Sequence, residues 1–346
     1  MIEQLLAPAV IVGILAAGIA YATPYLFAAI GEMFSQVSGV LNLGLEGVML
    51  LAAFAAYYIA WSTGNLPLAL LAAALVGMLM GLATAFISVT LKAEQGISGI
   101  GIYLFGLGLS DLLFLVMVGT PKPINGFEDV YIPVLSDLPV LGPILFNHNL
   151  LVYAAFACVP IAWFVLNKTT LGLKVRSVGQ TPAAADSLGI SVARVRYIAV
   201  IVAGTMAGIA GASLSIGLLN IFQQNLTSGL GFIAVALVYF GGWRPFRVML
   251  GALLFSTVNA LQLWIQILGV PLPSDITSML PYVLTIIALI FAARQIVTQP
   301  TALTKPFERE EYCPKLYLHA IWNCCARQLR WRGARANTAI TRLAQS

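Results

Sequence analysis

Charged residues are scarce in this chain of 346 residues: Asp, Glu, Lys and Arg make up 9% of it, whereas 60% is hydrophobic. Soluble globular proteins carry about 25% charged residues. The mean hydropathy is correspondingly high, at +0.93. This composition excludes an ordinary soluble domain and indicates a protein that lies largely within a membrane.

Motifs of metal binding, catalysis and nucleotide binding are missing as well. The four cysteines form no CxxC pair, and the two histidines lie far apart. No GxxxxGK[ST], HExxH or GxSxG pattern occurs, so the chain has no P-loop for ATP and no hydrolase signature. We therefore predict no catalytic residue, no metal, no bound cofactor and no enzymatic activity of this chain itself.

Apolar stretches near 20 residues in length dominate the sequence, and short polar breaks separate them. A run such as "LALLAAALVGMLMGLATAFISV" does not alternate with period two, which excludes a barrel and favours membrane-spanning helices. We predict an all-α, polytopic transmembrane bundle of about 8–10 spans with broken or re-entrant segments. The apolar segments fall near 5–23, 26–41, 45–60, 67–90, 96–118, 150–166, 197–219, 229–241, 246–268 and 279–294.

Two of these segments are unusual. Segment 26–41 is short and polar, so it is either a full span or a re-entrant helix, and segment 229–241 has the length of a half-helix. Irregular backbone at membrane depth is tolerated only beside protein or water, and paired broken segments hint at a transport path.

Basic residues in short loops predict which side of the membrane each loop faces, because such residues are more frequent in cytoplasmic loops. Loop 167–196 is rich in Lys and Arg and is predicted to be cytoplasmic. Loop 120–148 carries Glu128, Asp129 and Asp137 and is predicted to face outside, as an acidic docking patch or as an ordinary solvated loop.

The charge composition changes in the carboxyl-terminal part of the chain. Residues 312–346 contain six basic residues and no acidic one. We divide the chain into a membrane domain, 1–295, and a cytoplasmic tail, 296–346, that is basic and poorly ordered from 312. Such a tail is either drawn to anionic lipid or simply disordered.

Polar side chains inside the apolar segments are candidates for a solute path or its gate. Glu32 lies in segment 26–41, and Asn42 and Glu46 face the same side if 42–50 is helical. The pair either clamps the break between two segments or lines the cytoplasmic half of the path. A third set, on one face of segment 246–268, either bonds to neighbouring helices or lines the path: Asn259, Gln262 and Gln266.

The loop 167–196 contains the signals of a short helix near 182–189. Thr181 is a candidate N-cap, Pro182 suits the first turn, and Gly189 suits the end. A short ordered helix at the membrane face is what a permease needs to receive force from an ATPase, although a plain positive-inside loop remains the alternative. Small residues at Gly77-xxx-Gly81 and Gly204-xxx-Gly208 predict close packing of helices within one bundle, with a subunit interface as the alternative.

Four stretches carry a resemblance to a known family: "GEMFSQVSGVLNLGLEGVMLLAAF" (31–54), "GLKVRSVGQTPAAADSLGI" (172–190), "AGTMAGIAGA" (203–212) and "GFIAVALVYFGGWRPFRVMLGALLF" (231–255). In order and spacing the chain resembles the permease family of bacterial ABC importers for branched-chain amino acids, simple sugars and nucleosides. Within that family it is most similar to nucleoside and simple-sugar uptake permeases.

The resemblance implies a multi-pass protein of the bacterial plasma membrane, surrounded by lipid and without a nucleic-acid partner. It implies three protein partners: a second permease, homologous or identical, a cytoplasmic ABC ATPase, and an extracytoplasmic solute-binding lipoprotein. It places a coupling helix at Pro182, Ala184, Ala185, Asp186, Ser187 and Gly189. Nucleosides are the first expectation for the solute, followed by a pentose or hexose and then by branched-chain amino acids.

A secondary transporter is the competing interpretation outside this class. Glu32, Glu46 and Asp111 are candidates for the ion-coupling carboxylate that such a protein needs. The sequence shows no clear inverted repeat, and the short helix near 182–189 favours the ATP-driven permease.

Overall fold

A computed structural model describes residues 8–131, 136, 141–267, 279, 283, 286, 287 and 299–308. The chain divides into two compact units, Met1–Pro306 and Phe307–Ser346, and the described part includes only residues 307 and 308 of the second. Helices dominate the described residues, with one short pair of strands, so the predicted all-α class is confirmed.

The first four helices are long and apolar. They are α1 Pro8–Val37, α2 Leu45–Thr63, α3 Leu66–Ala85, which continues as a π-helical turn Phe86–Thr90, and α4 Gln95–Met117. Gly64 ends α2 in the left-handed conformation at φ 69°. The Asn65 side chain then caps α3 by accepting the Leu68 N–H at 3.1 Å. Two helices are thereby joined in a tight antiparallel hairpin.

A longer connection follows α4 and contains the only described strands. Strand β1 Asp129–Tyr131 pairs antiparallel with β2 Asn147–Asn149, and a short helix α5 Leu141–Leu145 lies between them in sequence. The connection is fixed to the bundle, because the Ile124 N–H donates to the Asn220 carbonyl at 2.9 Å and the Phe127 N–H donates to the Ile216 carbonyl at 3.1 Å. The predicted outside loop thus rests on the end of a spanning helix.

Six further helices lie in the described part of the second half. They are α6 Leu150–Lys168, α7 Thr170–Gln180, α8 Pro182–Ser187, α9 Val192–Ala212, which continues as a π-helical turn Ser213–Leu218, α10 Leu230–Gly241 and α11 Pro245–Ile267.

Seven helices in the described part are long and apolar enough to cross a bilayer: α1, α2, α3, α4, α6, α9 and α11. This confirms a polytopic membrane protein. Helix α10 is apolar but has 12 residues, a length of about 18 Å that falls short of a bilayer core of about 30 Å. The half-helix predicted at 229–241 is therefore confirmed. The segment predicted near 279–294 lies mostly outside the described residues.

The amino-terminal region differs from the expectation. Segments 5–23 and 26–41 are not two elements; from residue 8 they form the single helix α1, which passes through Pro24. The prediction of a re-entrant helix at 26–41 is wrong. Its polar residues are buried against the same chain, with Glu32 and Gln36 both 0% exposed, and neighbouring helices make an internal proline tolerable in a spanning helix.

Helix α1 is antiparallel to α11 and lies at the centre of the bundle. Its early residue Gly13 lies against Trp264 near the end of α11, and Gly18 lies against Thr257. Early residues of α1 also line a cavity together with residues 124–129 of the outer connection. Pro8 is therefore at the end of the bundle to which the acidic loop belongs.

Small residues bring other helices into direct backbone contact. A methyl group added at Gly77 of α3 would overlap the Gly204 carbonyl of α9, and one added at Gly106 of α4 would overlap Gly47 of α2. The predicted close packing of the Gly77 and Gly204 motifs within one bundle is confirmed. Because the backbones touch, dispersion contacts are dense along both helix pairs.

Candidate functional site

The buried carboxylate of Glu46 is held by three donors. Its Oε1 accepts the Thr227 hydroxyl at 2.5 Å and the Gly229 N–H at 2.7 Å. Its Oε2 accepts the Gly231 N–H at 2.5 Å. Gly229 is the N-cap of α10, so Glu46 supplies from α2 the acceptor that the first turn of the half-helix lacks.

Two helix amino termini converge on this carboxylate. Glu46 lies in the first turn of its own helix and also faces the first turn of α10. Both helix dipoles therefore favour its negative charge. The approach requires a glycine opposite, because a Cβ on Gly231 would lie 2.7 Å from the Glu46 Cα.

A second buried polar cluster joins α1 to the end of α10. Glu32 Oε1 accepts the Gln36 side-chain N–H at 3.1 Å and the Asn42 backbone N–H at 3.0 Å. Gln36 in turn accepts the Trp243 indole N–H at 3.0 Å. The cluster fixes the non-helical link between α1 and α2 and the turn that follows α10.

The expected pairing of Asn42 with Glu46 is wrong. Helix α2 begins at Leu45, so Asn42 precedes it and is not one helical turn from Glu46. The Asn42 side chain instead accepts the Gly44 N–H at 3.0 Å. Within the described residues, Glu32 Oε2 and Asn42 Nδ2 are buried and have no hydrogen-bond partner.

A cavity of about 530 Å³ opens beside the Glu46 cluster, between α1, the π-turn after α9, α10 and α11. Two of the predicted path residues, Asn259 and Gln262, line it, and Gln266 does not and is exposed. Thr227 belongs both to the cavity wall and to the Glu46 cluster. Glu32, Asn42 and Glu46 are buried and do not belong to the described lining of this cavity.

Sequence reasoning missed four polar residues of this cavity. The wall also contains Tyr21, Tyr25, Thr227 and Ser228. The polar run "NIFQQNLTSG" directly before the half-helix was the available signal for Thr227 and Ser228. No sequence signal indicated the two tyrosines, because aromatic residues in a spanning helix commonly serve only to pack against neighbouring helices.

The short helix predicted at 182–189 is present as α8, with Pro182 in its first turn. Gly189 ends the turn at φ 81°, as expected, while Thr181 is the N-cap without a side-chain hydrogen bond. Ala185 is 2% exposed and packs inward. The chain itself covers this predicted coupling residue, so its side chain is not available for contact with another protein.

Three of the six predicted coupling residues are exposed, and so is Leu188, which was not among them. Leu188 is 81% exposed, Ala184, Ser187 and Gly189 are exposed, and Asp186 is half-buried. Leu188 thus presents an apolar side chain that is accessible for contact with another protein.

A segment after the last predicted span is bound beside α8. The Ala302 N–H donates to the Gly179 carbonyl at 3.0 Å, and the Thr301 hydroxyl donates to the Gln180 carbonyl. Arg196 is 1% exposed and donates to the carbonyls of Ser38 at 3.3 Å and Lys305 at 3.1 Å. Sequence reasoning did not foresee this contact, which fixes the base of the short helix.

The predicted acidic patch is partly described. Glu128 and Asp129 are exposed and line a cavity of about 750 Å³ at the end of the bundle that is predicted to face outside, together with His148 and Asn149. Asp137 lies outside the described residues. Residues 312–346, the predicted basic tail, also lie outside them.

The model of the family described as "branched-chain amino acid transport system / permease component" matches residues 14–289. A putative glucose ABC transporter permease protein of Haloferax volcanii is 36% identical over 86% of this chain and 98% of its own length. The guanosine ABC transporter permease protein of Bacillus subtilis is 38% identical over 80% of this chain and 90% of its own length.

A third relative, the nucleoside ABC transporter permease protein of Lactococcus lactis subsp. cremoris, is 37% identical over 78% of this chain and 88% of its own length. No solved structure gave a significant match. The family match spans all seven candidate spans almost completely. The chain therefore belongs to the permease-component family of ABC transporters and is an integral, multi-pass membrane protein.

Proposed function

We propose that this permease carries nucleosides and that the cavity between α1, α10 and α11 is part of their path. The cavity's lining carries the proposal: Tyr21 and Tyr25 offer aromatic faces, while Thr227, Asn259 and Gln262 offer hydrogen-bonding groups. A nucleoside presents a flat base and a polyhydroxyl ribose. Stacking on aromatic rings and hydrogen bonds to hydroxyls are the interactions that such a molecule can use.

Two relatives support this choice, since one is named for guanosine and the other for nucleosides. The glucose-named relative supports the alternative, a pentose or hexose, at nearly the same identity. Branched-chain amino acids are the third choice. The cavity favours a solute without net charge, because no acidic or basic residue occurs in its described lining.

We propose further that the chain works with three partners: a second permease, a separate ATPase that hydrolyses the ATP, and an extracytoplasmic binding lipoprotein. The absence of a P-loop in this chain supports a separate ATPase. The exposed turn formed by Ala184, Ser187, Leu188 and Gly189 would receive the ATPase, and Glu128, Asp129 and Asp137 would meet the binding protein.

Uptake of labelled guanosine, uridine and glucose tests the proposal in cells that lack their own nucleoside uptake and express the complete transporter. Gln262→Ala should reduce nucleoside uptake per inserted molecule by about fivefold, the effect of losing roughly one hydrogen bond. Gln266→Ala is the matched control, because this residue lies on the same helix but outside the cavity.

The outcomes separate the alternatives. Glucose uptake without nucleoside uptake would select the sugar alternative. Equal loss in both variants would show that the cavity is not the path. Uptake that persists when the ATPase subunit is inactivated, with the proton gradient intact, would mean a secondary transporter.

A further inference from the structure

A cavity of about 470 Å³ lies at the basic end of the bundle, apart from the solute cavity. The last turn of α6, helix α7 and the first turn of α11 form it. Three arginines from these elements line it: Arg176, Arg244 and Arg247. The excess of basic residues assigns this end to the cytoplasm.

The three guanidinium groups have no acidic neighbour in the cavity's described lining. Like charges gathered at one site repel one another, and an anion placed between them removes that repulsion. Guanidinium groups match phosphate geometry particularly well, because their N–H groups can bind two oxygens at once. The cavity therefore has the chemistry of a phosphate site.

An exposed apolar surface continues from this cavity along the spans. On α11, Phe246, Leu250 and Leu254 follow one another at helical spacing and are 45%, 62% and 42% exposed. These three side chains form an exposed apolar side of α11, and α11 contacts α6.

Aromatic rings mark the boundary between the charged cavity and the apolar surface. The rings of Trp163 and Phe246 are 6.3 Å apart and both side chains are more than a third exposed. Aromatic residues are typical of the depth at which headgroups meet acyl chains. The charged cavity, the aromatic rings and the apolar surface thus follow one another in the same order as the headgroup, the interfacial region and the acyl chains of a phospholipid.

We propose that this cavity binds the phosphate headgroup of an anionic phospholipid of the cytoplasmic leaflet, whose acyl chains lie along Phe246, Leu250 and Leu254. Basic pockets between spanning helices are known to suit such headgroups. An acidic surface of the ATPase is the competing occupant. The lipid accounts better for the apolar surface, because Leu250 and Leu254 lie one and two turns further along the span than Phe246, beyond the reach of a soluble domain.

Occupancy should also stabilise the protein. Trp243 forms part of the cavity wall, and its indole N–H donates to Gln36 at 3.0 Å within the buried cluster around Glu32. A lipid that contacts this wall binds the folded state and not the unfolded chain, so it raises the unfolding temperature by mass action. This site does not depend on which solute the permease carries.

The experiment uses the purified full chain in detergent, titrated with phosphatidylglycerol, phosphatidylcholine or inorganic phosphate. Binding is followed by native mass spectrometry and by the unfolding temperature. The test variant is Arg176→Gln/Arg244→Gln/Arg247→Gln. The matched control, Lys174→Gln/Arg194→Gln/Lys305→Gln, removes the same charge from other exposed residues at the same end. We expect one tightly held phosphatidylglycerol, bound about 100-fold more weakly by the test variant and normally by the control.

Each remaining outcome would overturn the proposal. Equal weakening in both variants would mean unspecific attraction by net charge, and equal affinity for phosphatidylcholine would mean that the arginines do not select an anion. A full effect of inorganic phosphate alone would leave a phosphate site without a lipid. Displacement of phosphatidylglycerol by the ATPase subunit would assign the cavity to that partner. The unfolding temperature of the lipid-free test variant shows whether it has folded.

Discussion

At the scale of single residues, Glu46 illustrates how this membrane protein holds a buried carboxylate. Placing a charge near the middle of a bilayer raises the free energy of insertion by about 2.5–3.5 kcal/mol. A helix dipole alone offsets roughly 0.3–1 kcal/mol of this. The structure supplies the difference through three donors from the Thr227–Gly231 segment. Glu46 thereby connects a spanning helix to the half-helix, which makes a structural role the first expectation.

Replacing Glu46 by Gln tests that role. Gln supplies one acceptor oxygen instead of two, so at least one buried N–H of the α10 first turn loses its partner. We expect a loss of stability of about 1–3 kcal/mol, measured as a lower unfolding temperature and lower abundance in the membrane. Transport per folded molecule should stay near normal. Glu128→Gln, an exposed carboxylate, serves as the control, and normal abundance with failing transport would instead indicate a direct role in the path.

At the scale of elements, the short helix α8 shows that a sequence can predict a helix without predicting which of its side chains are exposed. Its sequence signals predicted the helix correctly, but not which side faces outward. Ala185 packs inward at 2% exposed, whereas Leu188 is 81% exposed. Residues 301–305 are hydrogen-bonded to the elements on either side of this helix.

Leu188→Asp should therefore uncouple ATP hydrolysis from transport in a protein that still inserts normally. A charged side chain removes the apolar contact that an ATPase groove would make, and a hot-spot contact of this kind is worth roughly 2 kcal/mol or more. Stimulation of the ATPase by loaded binding protein is the measurement. Ala185→Arg provides the contrast, because overfilling a buried position should lower abundance instead. A normal response of Leu188→Asp would exclude this turn as the coupling contact.

At the scale of the whole molecule, the two ends of the bundle differ in the charged side chains that they expose. The end predicted to face outside has the exposed carboxylates Glu128 and Asp129 beside a cavity of about 750 Å³. The end predicted to be cytoplasmic has the exposed turn at Leu188 and the arginine-lined cavity. Between them, the solute cavity adjoins the half-helix, which fills only part of the membrane depth.

Neutralising the acidic patch by Glu128→Gln/Asp129→Asn/Asp137→Asn should slow uptake that depends on the binding protein. Charges at the rim of an interface act mainly on the association rate, and salt screens them within about 10 Å at 0.1 M. The deficit should therefore be largest at low salt and shrink as salt is added. Uptake that is unchanged at low salt would leave the loop as a solvated connection.

The spans, the half-helix, the short helix α8 and the glycine packing motifs could be predicted because each depends on local composition and spacing. Even there, the break expected between segments 5–23 and 26–41 failed, since Pro24 resembles an interruption in the sequence, whereas a spanning helix tolerates it where neighbouring helices pack around it. For the candidate path, Asn259 and Gln262 were foreseen from their shared helix face, whereas Gln266 on that face points elsewhere.

By itself, the sequence determined the class of this protein and its family, because hydropathy and motif spacing are properties of the chain read in order. Its orientation stays a prediction from the asymmetry of basic residues. Tertiary structure alone decided the partners of buried polar groups. Glu46 bonds to residues more than 180 positions away, and Arg176 shares a cavity with Arg244 and Arg247 only after three elements have packed together. Such contacts depend on which helices become neighbours, and long-range packing, not local pattern, sets that arrangement.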